Sequence, residues 1–338
     1  MKLYGHLFEQ FSSLENLDLA ERNARKGKAN RPEVRKFLED RDGNLRRLRE
    51  SLLDGSFRTS VYHNLIIHEP KERVISRLPY YPDRIVHHAI LNVLEKIWVS
   101  QFTADTYSCI KGRGIHACAE AVKHALVTDP EGTVYCLKLD VRKFYPSIDH
   151  PIMKEILRRK LKDGRMLEVL DELIDSVPEG MPIGNYPSSY FANLYLSRLD
   201  HGVKQKAGIK HYFRYADDMV LLSDSKEKLH AALAYIRMEL AAVKLTVKDN
   251  WQIFPVDARG IDFVGYVFRH GRTDLRKCIK MRMLRKVDAL AKRGATEEEA
   301  RIAMAGHWGW LKHCDNEGLI LSINKKLGYE NFFRREAA

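Results

Sequence analysis

The chain has 338 residues, with 57 Lys/Arg against 45 Asp/Glu, for a formal net charge of +12. Hydrophobic residues make up 45% and charged residues 30%, the composition of a globular chain of two or three packed lobes rather than a disordered one. No apolar run approaches the ~18 residues of a membrane span, and the start, Met1-Lys2-Leu3-Tyr4-Gly5-His6, lacks a signal-peptide core. Neither a membrane-spanning nor a secreted protein is therefore expected. The positive excess points to an anionic partner, nucleic acid first. The five cysteines, Cys109, Cys118, Cys136, Cys278 and Cys314, show no CxxC spacing. They predict core filling in a reducing cytoplasm, not a zinc site or a disulfide framework.

The first ~55 residues predict charged helices, with Asn30-Arg31-Pro32-Glu33 as a loop leading into a helix start. Two strand-like runs, Asn64–Pro70 and Arg73–Leu78, flank Lys71 and Glu72 and predict a hairpin. From Pro82 the recurrence of Ile85, Ala89, Val93 and Ile97 predicts a helix. Lys111-Gly112-Arg113-Gly114 interrupts the chain, and a second helix is expected over Ile115–Val127. Val134–Asp140 reads as a strand ending in an acid. His150–Val177 reads as helical and Gly180–Asn185 as a loop, with Pro187 able to open the next helix. His211–Tyr215 and Met219–Leu222 are β-prone arms around Asp217-Asp218, the pattern of a tight hairpin. Lys226–Lys244 predicts an amphipathic helix, and short strands are expected around Trp251–Phe254 and Ile261–Phe268.

The tail differs in composition. Between Arg269 and Arg293 stand ten Lys/Arg and two acids. Ile279, Met283, Val287 and Leu290 mark one helical face, and Arg276, Lys277, Lys280, Arg282, Arg285 and Lys286 fall largely off it. Such a helix can dock on a core and still meet a phosphate backbone.

Three acids stand at predicted strand ends: Asp140, Asp217 and Asp218. Carboxylates delivered to one sheet edge can bind two Mg²⁺ ions, which prefer oxygen ligands. Two metals ~3.5–4 Å apart can activate a 3′-hydroxyl and stabilise leaving pyrophosphate. For Asp217-Asp218 taken alone, a solvated turn is the simpler explanation.

The surrounding motifs carry a specific resemblance. Tyr215-Ala216-Asp217-Asp218 resembles the YxDD hairpin of reverse transcriptases. Leu139 to Asp149 resembles the first catalytic motif of that family, and Met181 to Asn193 its template- and nucleotide-contacting loop and helix. Ile261-Asp262-Phe263-Val264-Gly265-Tyr266 resembles its primer-grip hairpin, in matching order. The resemblance implies an α+β, right-hand polymerase fold. It places an N-terminal helical extension and fingers over residues 1–60, fingers and palm over 61–268, and a basic helical thumb over 269–338.

By the same resemblance Asp140, Asp217 and Asp218 are the catalytic carboxylates. Together with Val141 they hold two Mg²⁺ or Mn²⁺ ions, Asp217 ranking above Asp218. Lys71, Arg73, Val141, Tyr145, Gly184 and Asn185 are the implied nucleotide-binding residues, Tyr145 being the steric gate against a 2′-hydroxyl. Arg84, Arg113, Phe263, Gly265, Lys277, Lys280 and Arg285 are the implied nucleic-acid contacts. Plain core packing for Tyr145, a solvated basic hairpin for Arg73 and a salt bridge for Arg84 are the structural alternatives.

The whole-length resemblance is to compact bacterial reverse transcriptases. Pro182-Ile183-Gly184-Asn185, Trp251-Gln252-Ile253 and Arg259-Gly260-Ile261-Asp262-Phe263 resemble enzymes of diversity-generating retroelements. Ser189 stands where those enzymes carry glutamine, which favours the related antiphage-defence enzymes. Either reading implies a cytoplasmic RNA-directed DNA polymerase that copies a structured non-coding RNA into cDNA from dNTPs. An accessory protein or a homo-oligomer fits both, and no membrane is involved. A catalytically silent RNA-binding scaffold is the alternative from another class.

Overall fold

The computed structural model describes residues 3–68, 72–329 and 332. The chain forms two compact units. One comprises Met1–Thr103, Val141–Gly202 and Ile236–Val247; the other comprises Ala104–Asp140, Val203–Tyr235 and Lys248–Ala338.

The first unit opens with four helices, Phe8–Phe11, Leu14–Arg25, Pro32–Leu38 and Arg41–Leu53. Their starts follow from local chemistry. The Ser13 hydroxyl accepts from the Asn16 N–H, the Asp40 carboxylate accepts from the Gly43 N–H, and Pro32 sits in the first turn, where a missing N–H costs nothing. Leu17, Ala20 and Ala24 form the buried stripe of the second helix. That helix packs on Ile85–Val99, and Asn16 Nδ2 donates to the Ala89 carbonyl at 3.1 Å. Glu21 is fully buried but satisfied: it pairs with Arg41 at 2.9 Å and Arg25 at 3.1 Å and accepts from the Tyr80 hydroxyl at 2.8 Å.

The α-helix Ile85–Val99 follows directly on a wider helical turn that contains Pro82, as the sequence predicts. Tyr80–Arg84 form a wider turn in which Tyr81 is extended (φ −117°, ψ 134°). A residue before proline is pushed out of the α region by the ring, so helical backbone begins after Tyr81. Strands β1 (His63–Ile67) and β2 (Arg73–Arg77) pair antiparallel, from His63↔Arg77 to Ile67↔Arg73. Helices His150–Arg158 and Gly164–Asp175 follow, capped by Asp149 and Asp163.

The second unit holds two antiparallel sheets. Strands β3 (Tyr135–Asp140), β4 (His211–Tyr215), β5 (Asp218–Ser223) and β6 (Gln252–Pro255) lie in the order β4-β5-β3-β6. Strands β7 (Ile261–Phe263), β8 (Tyr266–Arg269) and β9 (Arg272–Leu275) form a meander. Helix Ile115–Thr128 lends Cys118, Val122 and Leu126 to a core shared with Cys136, Val220, Phe263, Tyr266 and Phe268.

Two features differ from the sequence expectation. The run Ile261–Phe268 is two strands, not the single strand of the local pattern but the hairpin that the primer-grip resemblance implies, because Val264 (φ 42°) and Gly265 (φ 93°) both take the left-handed conformation of a two-residue hairpin turn. The basic tail begins with β9, and its helix spans Lys277–Lys292; helices Glu297–Leu311 and Glu317–Leu327 follow. Thr296 and Glu299 form a reciprocal capping box at the start of Glu297–Leu311. No helix among the described residues is long and apolar enough to cross a membrane.

Candidate active site

Strand β3 is central in its sheet, with β5 on one side and β6 on the other. Cys136, Leu137 and Leu139 bury it, and Asp140 ends it at the sheet edge. The β3–β5 register places Asp140 directly opposite Asp218. The β4–β5 register closes at Tyr215↔Asp218, leaving Ala216 and Asp217 as a two-residue turn. Ala216 adopts φ 56°, where glycine would be the unstrained choice. The three acids of the sequence motifs therefore meet at one end of one sheet.

Their electrostatics are unfavourable in the absence of a cation. Burial, and then the Asp140 carboxylate within hydrogen-bonding reach, push Asp217 up to about 6. Burial also raises Asp218 to about 6; Lys138 opposes the shift and Asp140 adds to it. Like-charged carboxylates in a half-buried site disfavour joint ionisation. Lys248 tethers Asp140 from the other side. Its N–H donates to the Asp140 carbonyl at 2.8 Å, and its ammonium lies 3.8 Å from the carboxylate.

Among the described residues no three His, Cys, Asp or Glu side chains close into a ready-made metal cluster. The donor set is the Asp140–Asp217 pair with Asp218 across the ladder. An all-oxygen, anionic set fits a hard divalent cation, whose charge would relieve the repulsion that raises both acids.

The turn itself is braced. Arg214 is fully buried and donates Nη1–H to the Ala216 carbonyl at 2.9 Å. Segment Asp105–Tyr107 covers the outer edge of β4: the Arg214 N–H donates to the Asp105 carbonyl at 2.9 Å, and the Tyr107 N–H donates to the Arg214 carbonyl at 3.0 Å. Arg113 donates Nη1–H to the Thr106 carbonyl at 3.1 Å, so it supports this segment.

The other motif residues lie as follows. Phe263 is fully buried, so its ring is core; Gly265 is buried against the Trp310 ring, and Val264 is the residue of the turn that is partly exposed. Arg276 pairs with Asp262 at 2.5 Å and is thereby drawn off the basic helix face. Lys277, Lys280, Arg282, Arg285 and Lys286 are exposed, opposite buried Met283, Val287 and Leu290.

In the first unit Val141 is buried, which leaves its backbone as the group able to meet a ligand. Tyr145 is half-buried and edge-on to Phe144, with ring centroids 5.5 Å apart. The Met181 N–H donates to the Tyr145 carbonyl at 2.8 Å. Gly184 lies against β2: a Cβ there would stand 2.7 Å from the Ser76 carbonyl oxygen, and the Ser76 N–H donates to the Ile183 carbonyl at 2.8 Å. Asn185 donates Nδ2–H to the Tyr62 hydroxyl at 2.8 Å. Gly184, Asn185 and Arg84 share a pocket of about 260 Å³ with Lys28, His87 and His88. Sequence reasoning missed those last three, which carry no motif. Arg73 is exposed, and Lys71 lies outside the described residues.

The chain belongs to the reverse transcriptase (RNA-dependent DNA polymerase) family, whose model matches residues 68–268. Protein YkfC of Escherichia coli strain K12 is 26% identical over 173 residues, covering 47% of this chain and 45% of that protein. Group II intron-encoded protein LtrA of Lactococcus lactis subsp. cremoris is 21% identical over 173 residues, covering 48% of this chain and 28% of that protein. The chain thus spans less than half the length of either relative. Apo telomerase from Candida tropicalis matches in fold, with a TM-score of 0.50 and 13% identity over 79% of this chain and 58% of that one. The mixed helices and antiparallel sheets agree with a right-hand polymerase fold.

Proposed function

We propose that this chain synthesises DNA on an RNA template, with Asp140, Asp217 and Asp218 as the carboxylates that hold two Mg²⁺ or Mn²⁺ ions. The observation that carries the reading is the β3–β5 register, which sets Asp140 opposite Asp218 with Asp217 in the adjoining turn. The buried Val141 would add its carbonyl. The chemistry such ions supply is activation of a 3′-hydroxyl and neutralisation of charge on leaving pyrophosphate. The chain's own part is to gather anionic oxygens at one strand end and to fix Asp140 through Lys248.

In this reading Lys71, Arg73, Tyr145, Gly184 and Asn185 receive the dNTP, Tyr145 excluding a 2′-hydroxyl. Arg84, Arg113, the Phe263–Gly265 turn, Lys277, Lys280 and Arg285 serve the template–product duplex. Arg113 and Phe263 act there through the backbone they hold. Residues 1–60 form the N-terminal extension and fingers, 61–268 the fingers and palm, and 269–338 the thumb.

The test is primer extension on RNA with dNTPs and Mg²⁺ or Mn²⁺, comparing the wild type with Asp217→Asn/Asp218→Asn. The expected result is metal-dependent synthesis lost in the double variant, with RNA binding retained. Synthesis by the double variant would remove these acids from the mechanism. A wild type that binds RNA but never extends a primer would make the chain a scaffold.

For the biological role we favour copying of a dedicated structured non-coding RNA in antiphage defence, on the strength of Ser189. Sequencing the nucleic acid that copurifies distinguishes the roles. A single structured RNA with its cDNA supports defence; cDNA of a variable repeat with changes at adenines supports diversification.

A further inference from the structure

We propose that Arg214 is a positioning residue for the candidate metal site: its guanidinium holds the Ala216 carbonyl and so fixes the turn that presents Asp217. The inference rests on the reading of Asp140 and Asp217 as the metal-holding pair.

Burying an arginine is costly unless its donors are satisfied, and Arg214 is fully buried beside the turn. Its Nη1–H reaches forward two residues to the Ala216 carbonyl at 2.9 Å. That carbonyl belongs to the peptide linking Ala216 to Asp217, so holding it fixes the plane from which the Asp217 side chain departs. The residue so held is the one with φ 56°. An alanine there is strained by about 1–2 kcal/mol relative to the right-handed regions, and such strain persists only when the surroundings over-determine it.

The backbone of Arg214 is fixed as well. Asp105 and Tyr107 bond it on the outer edge, and the β4–β5 ladder pairs it with Met219 on the inner one. The guanidinium therefore works from an immobile base. Arginine suits this position because its planar fork keeps its charge when buried and offers several donors at once, whereas a lysine offers a point charge on a flexible stem. The role assigned to Arg214 runs through the peptide plane ahead of Asp217.

The experiment measures Mn²⁺ binding by electron paramagnetic resonance on the full chain, independently of synthesis. Four proteins are compared: the wild type, Asp217→Asn, Arg214→Lys and Arg214→Lys/Ala216→Gly. Ligand-orienting groups typically contribute 10–100-fold to metal affinity, and Arg214→Lys is expected to weaken Mn²⁺ binding by about that factor. Glycine adopts φ > 0 without strain, so Ala216→Gly should restore part of the loss. A folded Arg214→Lys that binds Mn²⁺ like the wild type would overturn the proposal, as would a double variant with no recovery. Unchanged binding by Asp217→Asn would instead overturn the metal reading itself.

Should Arg214→Lys fail to fold, proton exchange at the Arg214 guanidinium in the wild type decides. A slowly exchanging Nη1–H, slowed further by Mg²⁺, supports the proposal. Solvent-like exchange would contradict the bond on which it rests.

Discussion

The Trp310 ring occupies the space where a side chain at Gly265 would stand: a Cβ there would lie 2.7 Å from Cη2 of the indole and 3.0 Å from Cδ1 of Ile279. The turn formed by Val264 and Gly265 is thereby seated on the helix Glu297–Leu311. The seat is fixed by a small polar network. The Tyr266 hydroxyl donates to the Trp310 carbonyl at 3.1 Å and meets His116 Nδ1 at 2.9 Å. The His116 ring stacks on His313 at 4.3 Å, and His313 Nδ1 meets Glu120 at 2.9 Å.

This seat makes Gly265→Ala a sharp test. The added methyl must displace the indole, and φ 93° is a conformation that alanine resists. Strain and overpacking together should cost about 2–4 kcal/mol. The expected outcome is a lower melting temperature and weaker use of primer, read as a raised KM for primer–template. A variant as stable as the wild type would mean that the indole yields at no cost.

What the sequence made legible depended on how local each feature is. Strand β3 and the β4–β5 hairpin announce themselves through short β-prone runs on either side of adjacent acids, a signal contained within a dozen residues. The Val264–Gly265 turn carries no local turn signal, because a β-branched residue occupies a position that usually holds asparagine or glycine. By local pattern the run from Ile261 to Phe268 reads as one strand, and only the resemblance to a primer-grip hairpin implies the turn. Strand β9 was masked by the basic composition around it. His87 and His88 follow Arg84 by three and four residues on one helix, a spacing the sequence carries, whereas Lys28 joins them through tertiary packing, which no local pattern encodes. Burial of Phe263 and capture of Arg276 by Asp262 likewise depend on neighbours distant in the chain.

His87 should make the protein acid-sensitive. It is buried in helix Ile85–Val99, and burial lowers its imidazole to about 3. The unfolded chain takes up that proton near 6.5 and the folded chain resists it. Stability from this group is therefore complete above about pH 6.5 and lost as pH falls below it, by roughly 2 kcal/mol at pH 5. Urea unfolding at pH 7 and pH 5 should show that difference, and His87→Leu should shrink it. An equal pH slope in the variant would assign the acid sensitivity to other groups, such as His88, which burial also lowers, to about 4.

Tyr145→Ala should admit ribonucleotides. The ring is half-buried beside Phe144, and its backbone is pinned by the Met181 N–H, so the side chain is held in a fixed place. Removing it opens space for a 2′-hydroxyl. The ratio of dNTP to rNTP incorporation efficiency should fall by on the order of 10- to 100-fold. If the ratio stays at the wild-type value, Tyr145 is a packing residue and sugar choice lies elsewhere.

The basic helix Lys277–Lys292 gives the last prediction. Met283, Val287 and Leu290 bury one face, which leaves Lys277, Lys280 and Arg285 exposed on the other without an ion pair among the described residues. Acids neutralise other cations in this region: Arg276 pairs with Asp262, and Asp288 is taken up by Lys326. The exposed face therefore retains its charge, and charge of that kind binds phosphates through counterion release. Affinity for RNA should fall with salt at a log–log slope of about −0.7 to −0.9 per neutralised phosphate. Changing Lys277, Lys280 and Arg285 to Gln should flatten the slope by ~2–3 units and weaken binding to unrelated sequences alike, since phosphate contacts carry no base information. Synthesis per bound complex should change less than binding, because the three acids are untouched. A triple variant that remains folded and keeps the wild-type salt slope would reduce this face to a solubility device and direct the search for the nucleic-acid track to another surface.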